Sequence, residues 1–203
     1  LFILEHVKSA VSHCVDCNLD TNSTMQAARL SRETAVLTAM SLNAFSDAKA
    51  ALDLSLKLYN NARLYKSVDF QVARAETLYE LGRIFRYQGM YEDSKASLAE
   101  ALSIYNNLNK RKNVFLNGIA NTLHEVGLLE LKQHNLKDAE ENLVKSLELR
   151  QNSSALSNVN PQCAATLHQL AAVHVARRPP SLDKAKNLLL EALGLSSQIG
   201  QRA

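Results

Sequence analysis

The chain has 203 residues, 46% of them apolar and 21% charged, with only 3 Pro, 6 Gly and no Trp, so it can bury a core but has little turn punctuation for many strands. A net charge of +3 dispersed along the sequence excludes the basic stripe of a nucleic-acid binder, and no stretch approaches the roughly 18 apolar residues of a membrane span. Cys14, Cys17 and Cys163 form an odd, sparse set with no disulfide-framework spacing, which points to a reducing, cytoplasmic compartment.

In chain order, the apolar opening Leu1-Phe2-Ile3-Leu4 is interrupted by Glu5, His6 and Lys8 before a secretory segment can form. The missing Met and abrupt ends make a fragment of a longer protein the expectation. Residues 2–18 read as a lone helix with Val7, Val11, Cys14 and Val15 on one stripe, placed to cap the first helix pair. Four helix pairs are then expected, 24–43 with 46–66, 68–88 with 91–108, 113–133 with 136–151, and 160–177 with 182–199. Gln88-Gly89-Met90, Gln133-His134-Asn135 and Pro179-Pro180 are the turns inside the last three pairs. Asp93, Asp138 and Asp183 lie near the start of each second helix, where a carboxylate complements the helix dipole. Lys110-Arg111-Lys112 reads as a solvated loop between pairs.

The pairs are copies of one another. Leu78-Tyr79-Glu80-Leu81-Gly82 aligns with Leu123-His124-Glu125-Val126-Gly127 and with Leu167-His168-Gln169-Leu170-Ala171, a period of about 45 residues. In the second helices Leu98, Ala101 and Leu102 recur as Leu143, Ser146 and Leu147, as Leu189, Ala192 and Leu193, and earlier as Leu52, Ser55 and Leu56. The small residue at 82, 127 and 171 has a steric reason: the paired helices cross too closely for a larger side chain, with Ser94, Ala139 and Ala185 opposite.

Leu78, Leu81, Gly82, Phe85, Gly89, Tyr91, Ser94, Leu98 and Ala101 together resemble the tetratricopeptide repeat, and the likeness covers about residues 24–199. The basic unit of that family is about 34 residues, so the longer period here is more similar to the arrays of kinesin light chain and nephrocystin, and the helix-ending Pro of the family is missing. The resemblance implies an all-α, right-handed α-solenoid of stacked helix-turn-helix repeats. It comprises about four units (24–66, 68–108, 113–151, 160–199) after the N-terminal helix, all in one superhelical domain over 1–203. It also implies a protein-interaction module, an adaptor or scaffold segment that holds a partner peptide or helix in a groove lined by the first helices. The periodicity then assigns Glu76, Tyr79, Arg83, Arg86 and Tyr87 to the groove from one unit, Asn121, His124, Leu128, Leu131 and Lys132 from the next, and Ala165, His168, Gln169, Ala172, Val175 and Ala176 from the last. Tyr79, His124 and His168 should form a row. Arg83, Arg86 and Lys132 favour acidic segments as ligands, whereas Glu76, Glu80 and Glu125 could neutralise them and leave an apolar partner preferred. Members that hold a C-terminal carboxylate use Lys and Asn where this chain has Glu33, Leu37 and Glu80. Kinesin-like members hold peptide backbone with Asn where it has Glu80, Glu125 and Gln169, of which only Gln169 bonds both ways. The alternative role is structural, with the array packing on its own protein or on a second copy.

No catalytic apparatus is visible: no nucleophile elbow, phosphate loop or Gly-rich dinucleotide turn occurs, and an enzyme is not expected. Cys14-Val15-Asp16-Cys17, with His6 and His13 nearby, lacks the second ligand pair of a structural zinc site, so neither metal nor cofactor is expected.

Overall fold

The computed structural model describes residues 9, 21–42, 44–60, 67–112, 114–152 and 161–200. The expected cap at 2–18, with Cys14 and Cys17, lies outside this set except at Ser9. Eight helices are arranged in the order α1 Thr21–Leu42, α2 Phe45–Tyr59, α3 Val68–Tyr87, α4 Tyr91–Lys112, α5 Leu116–Lys132, α6 Leu136–Asn152, α7 Pro161–Ala176 and α8 Leu182–Gly200. The described residues contain no strand.

The chain divides into two compact units, Leu1–Ile104 and Tyr105–Ala203. In the first, α1 pairs with α2, and α3 packs on both. Ser67 caps α3, its hydroxyl accepting from the Phe70 amide at 3.2 Å. Its core joins Ala35, Ala48, Ala51 and Leu52 to Leu81, Ile84 and Phe85, and a second cluster holds Ala28, Leu58, Tyr59 and Phe70. In the second unit α5 pairs with α6 and α7 with α8, while α7 also packs on α6. There Ala139 and Leu143 meet Leu170 and Val173, and Ala164, Leu167 and Ala192 form the next cluster.

The small residues sit where the spacing predicts. A Cβ on Gly82 would lie 2.6 Å from Leu98 Cγ, and one on Gly127 2.6 Å from Leu143 Cγ, while Ala171 is buried at the same place. Hydroxyls reinforce the pairing across helices: Ser94 Oγ donates to Gly82 O at 2.8 Å, Ser55 Oγ to Ala28 O at 2.9 Å and Ser146 Oγ to Ala120 O at 2.6 Å. The turns repeat as well. Gly89 (φ +76°) and His134 (φ 61°) are both left-handed, and the next amide, of Met90 or Asn135, returns to Phe85 O or Glu130 O at 2.9 Å, closing each helix.

One expectation is corrected. Lys110-Arg111-Lys112 is the last turn of α4 and not a loop, since basic residues favour the negative end of a helix and Asn109 Oδ1 accepts the Phe115 amide just beyond it. α5 accordingly starts at Leu116, later than the predicted 113.

Candidate functional site

In the first unit α1 and α3 lie side by side, as first helices of successive pairs, and leave a cavity of about 300 Å³ lined by Val36, Ala39, Phe45, Glu80, Arg83, Ile84 and Tyr87. The helical period explains the lining: 80, 83, 84 and 87 share one face of α3, and 36 and 39 one face of α1. Phe45, the first residue of α2, stacks on Tyr87 with ring centroids 5.7 Å apart and planes 16° from parallel. Tyr87 nevertheless remains 56% exposed, so a flat aromatic surface stands open at the cavity mouth. The Arg86 guanidinium lies 4.5 Å from the Tyr87 ring centroid, and that of Arg83 5.7 Å from the Tyr79 ring.

Charges on this face are matched from within. Arg83 Nη1 donates to Glu80 Oε2 at 2.9 Å, and Arg32 on α1 bonds the Glu76 carboxylate. What the pairs leave open is the apolar and aromatic surface between them.

The second unit treats the corresponding positions differently. His124 Nδ1 is 3.1 Å from Thr166 Oγ1 on α7. Arg150 of α6, only 4% exposed, donates through Nη1 to Gln162 O at 2.9 Å and to Thr166 Oγ1, and through Nη2 to Asn121 Oδ1 at 2.9 Å. Asn121 and His124 therefore tie α5 to its neighbours. Leu131 packs against the Ala139–Leu143–Leu170–Val173 core, and Leu128 is half-buried. Lys132, Ala172 and Gln169 are half-buried, and Ala165, His168, Val175 and Ala176 exposed, with Gln169 Nε2 3.5 Å from His168 Nδ1. Of the predicted residues, the structure thus brings Arg83 and Tyr87 together at a cavity, with Tyr79 and Arg86 beside them, and gives Asn121, His124 and Leu131 to packing.

Sequence reasoning missed Val36, Ala39 and Phe45. Val36 and Ala39 flank the core position Ala35 by one and four residues, which was a usable signal. Arg150 was missed too, although alignment places it where Tyr59 and Tyr105 are buried in other copies.

Nothing described offers catalytic chemistry. Burial pushes the Cys163 thiol above its ordinary range, the opposite of an activated nucleophile. No group of three or more His, Cys, Asp or Glu suited to a metal occurs among the described residues, and no described helix is long and apolar enough to cross a membrane.

No family model matches the sequence, and no curated protein matches it. Solved structures do. BtubC (BKLC) from P. vanneervenii is similar at a TM-score of 0.75 and 18% identity, over 97% of this chain and 74% of that one. A putative kinesin light chain of Podosopora anserina, built of nearly identical TPR-like repeats, matches at 0.51 and 16% identity over 98% and 97% of the two chains, and a substituted form of that protein at 0.52. At these identities the likeness is one of fold, and the fold of this chain is that of TPR-like helical-repeat proteins.

Proposed function

We propose that the chain is a protein-interaction module that takes an extended partner segment along the α1–α3 face, with one apolar or aromatic side chain of the partner seated in the cavity beside Tyr87. The observation that carries this reading is the half-exposed Tyr87 ring held flat by Phe45 at the mouth of an apolar cavity. Exposed aromatic anchors at a pocket are the residue type that dominates binding energy. The internal pairing of Arg83 with Glu80 and of Glu76 with Arg32 favours an apolar anchor over a purely acidic ligand, because both signs of charge are already compensated. Glu76, Tyr79 and Arg86 border this face, and Lys132, His168, Gln169 and Val175 are proposed as lesser contacts from the second unit. Catalysis is not part of the proposal.

The test is selection of a displayed peptide library on the chain, followed by affinity measurement on variants. Tyr87→Ala, which removes the platform, and Ala39→Leu, which fills the cavity, should each weaken the selected peptides by about 2 kcal/mol, as truncated anchors do. The outer-face control Lys145→Ala should leave affinity unchanged. Peptides that bind both cleft variants as tightly as the parent chain would sink the reading.

A further inference from the structure

The molecule builds the same junction twice. In the first unit Leu52 of α2 is buried against Leu81 and Ile84 of α3, and in the second Leu143 of α6 is buried against Leu170 and Val173 of α7. Each time a leucine from the second helix of one pair fills the gap between two residues three apart on the first helix of the next. In the second unit Leu136 and Leu147 flank Leu143 and pack on the same cluster.

Both halves of this junction also occur uncovered. On α8 the counterpart of Leu143 is Leu189, 42% exposed, and those of Leu136 and Leu147 are Leu182 and Leu193, each 63% exposed. On α1 Ala35 takes the place of Ala171, so Thr34 and Leu37 stand where Leu170 and Val173 do. Leu37 is 65% exposed, and Leu30, seven residues back on the same stripe, 51%. Thr34 brings no unpaired donor, since its hydroxyl already bonds Leu30 O at 2.8 Å. Isolated exposed leucines need no explanation, but rows at core positions of a repeated junction do.

We infer that these two faces bind each other between copies: α8 of one chain docks on α1 of a second in the register of α6 on α7, with Leu189 against Leu37. The charges allow it. At the internal junction Glu140 bonds Arg177 and lies near His174, whereas in the intermolecular register Lys186 replaces Glu140 opposite Thr38 and Ser41, so no like charges meet and no ion pair forms. The contact is apolar and persists in high salt. It joins unlike faces, so each added copy exposes a fresh half and association is not limited to two chains.

Sedimentation equilibrium of the 203-residue chain over a range of concentrations should give a mass that rises beyond one chain and is insensitive to salt. Leu37→Glu and Leu189→Glu should each hold the mass near one chain, weakening association by about tenfold or more, with helicity by circular dichroism unchanged. Val175→Glu, exposed on another face, should associate like the parent. The decisive sample is an equimolar mixture of Leu37→Glu and Leu189→Glu, which together retain one intact junction and should form a two-chain species and nothing larger. Should either glutamate disturb folding, Leu37→Ser and Leu189→Ser replace them. A mass of one chain at every concentration overturns the proposal, and so does a mixture of the two variants that stays dissociated.

Discussion

Leu143 presses on Gly127 so closely that a Cβ there would sit 2.6 Å from its Cγ and 3.2 Å from Ala139 O, and Leu98 bears the same relation to Gly82. Real side chains do not approach this closely, so any substitution must push the helices apart. Gly127→Leu should destabilise the chain by roughly 1–3 kcal/mol or more. Gly194 in α8 has nothing within 4 Å of its would-be Cβ, and Gly194→Ala should stabilise by roughly 0.5–1 kcal/mol. Urea midpoints of the two variants should therefore move in opposite directions, and equal shifts would refute the steric account.

Arg150 spans three helices from a buried position, giving hydrogen bonds to Asn121, Gln162 and Thr166. Arg150→Ala removes the guanidinium, opens a cavity and takes a hydrogen bond from Asn121 Oδ1, which should cost roughly 2–4 kcal/mol. Arg177, a third exposed, pairs with Glu140, and Arg177→Ala should cost less than about 1 kcal/mol. Chemical denaturation of both variants checks the ranking, which fails if Arg177→Ala is the costlier.

The helical pairs were legible because steric exclusion leaves a mark on composition: only Gly, Ala or Ser fits at a crossing, and Gly82, Gly127 and Ala171 fix the register of everything between them. The interaction face was legible only in part. Periodicity gives the arc on which a side chain lies, but the groove and the contact between neighbouring first helices occupy adjacent arcs of one helix. Tyr87 and His124 show the consequence. Tyr87 meets Phe45 and stays half open, whereas His124 meets Thr166 and becomes part of a junction because Arg150 converges on the same hydroxyl. Such convergence depends on residues far apart in sequence. Lys110-Arg111-Lys112 misled for a local reason, since a charged run suits a helix C-terminus as well as a loop.

Cys163 should be inert while the chain is folded. It is 5% exposed, and burial raises its pKa, an effect that Arg150 only partly opposes, so little thiolate is present near neutral pH. Alkylation followed by peptide mapping, which separates Cys163 from Cys14 and Cys17, should show Cys163 modified only as the chain unfolds. Rapid modification in native buffer would contradict its placement in α7.

His174 should make the fold acid-sensitive. It is 5% exposed on α7, with Nε2 3.4 Å from Glu140 Oε1 and Nδ1 without a hydrogen-bond partner. Burial is the main influence and lowers its pKa below the ordinary 6.5; Glu140 opposes that shift, and Arg177 and Lys184 add to it. The folded imidazole thus takes up a proton less readily than the unfolded one. Both forms are neutral well above 6.5, where His174 adds no pH dependence. As the pH falls through 6.5 the unfolded chain gains a proton that the folded chain resists, so stability declines until the lowered folded pKa is reached and then levels off. Melting temperatures across pH 7.5 to 5 should show this decline in the parent chain and a flatter profile in His174→Gln. Profiles of equal slope would mean that other groups carry the acid sensitivity, and a parent chain that gains stability on acidification over this range while His174→Gln does not would show that Glu140 outweighs burial at this site.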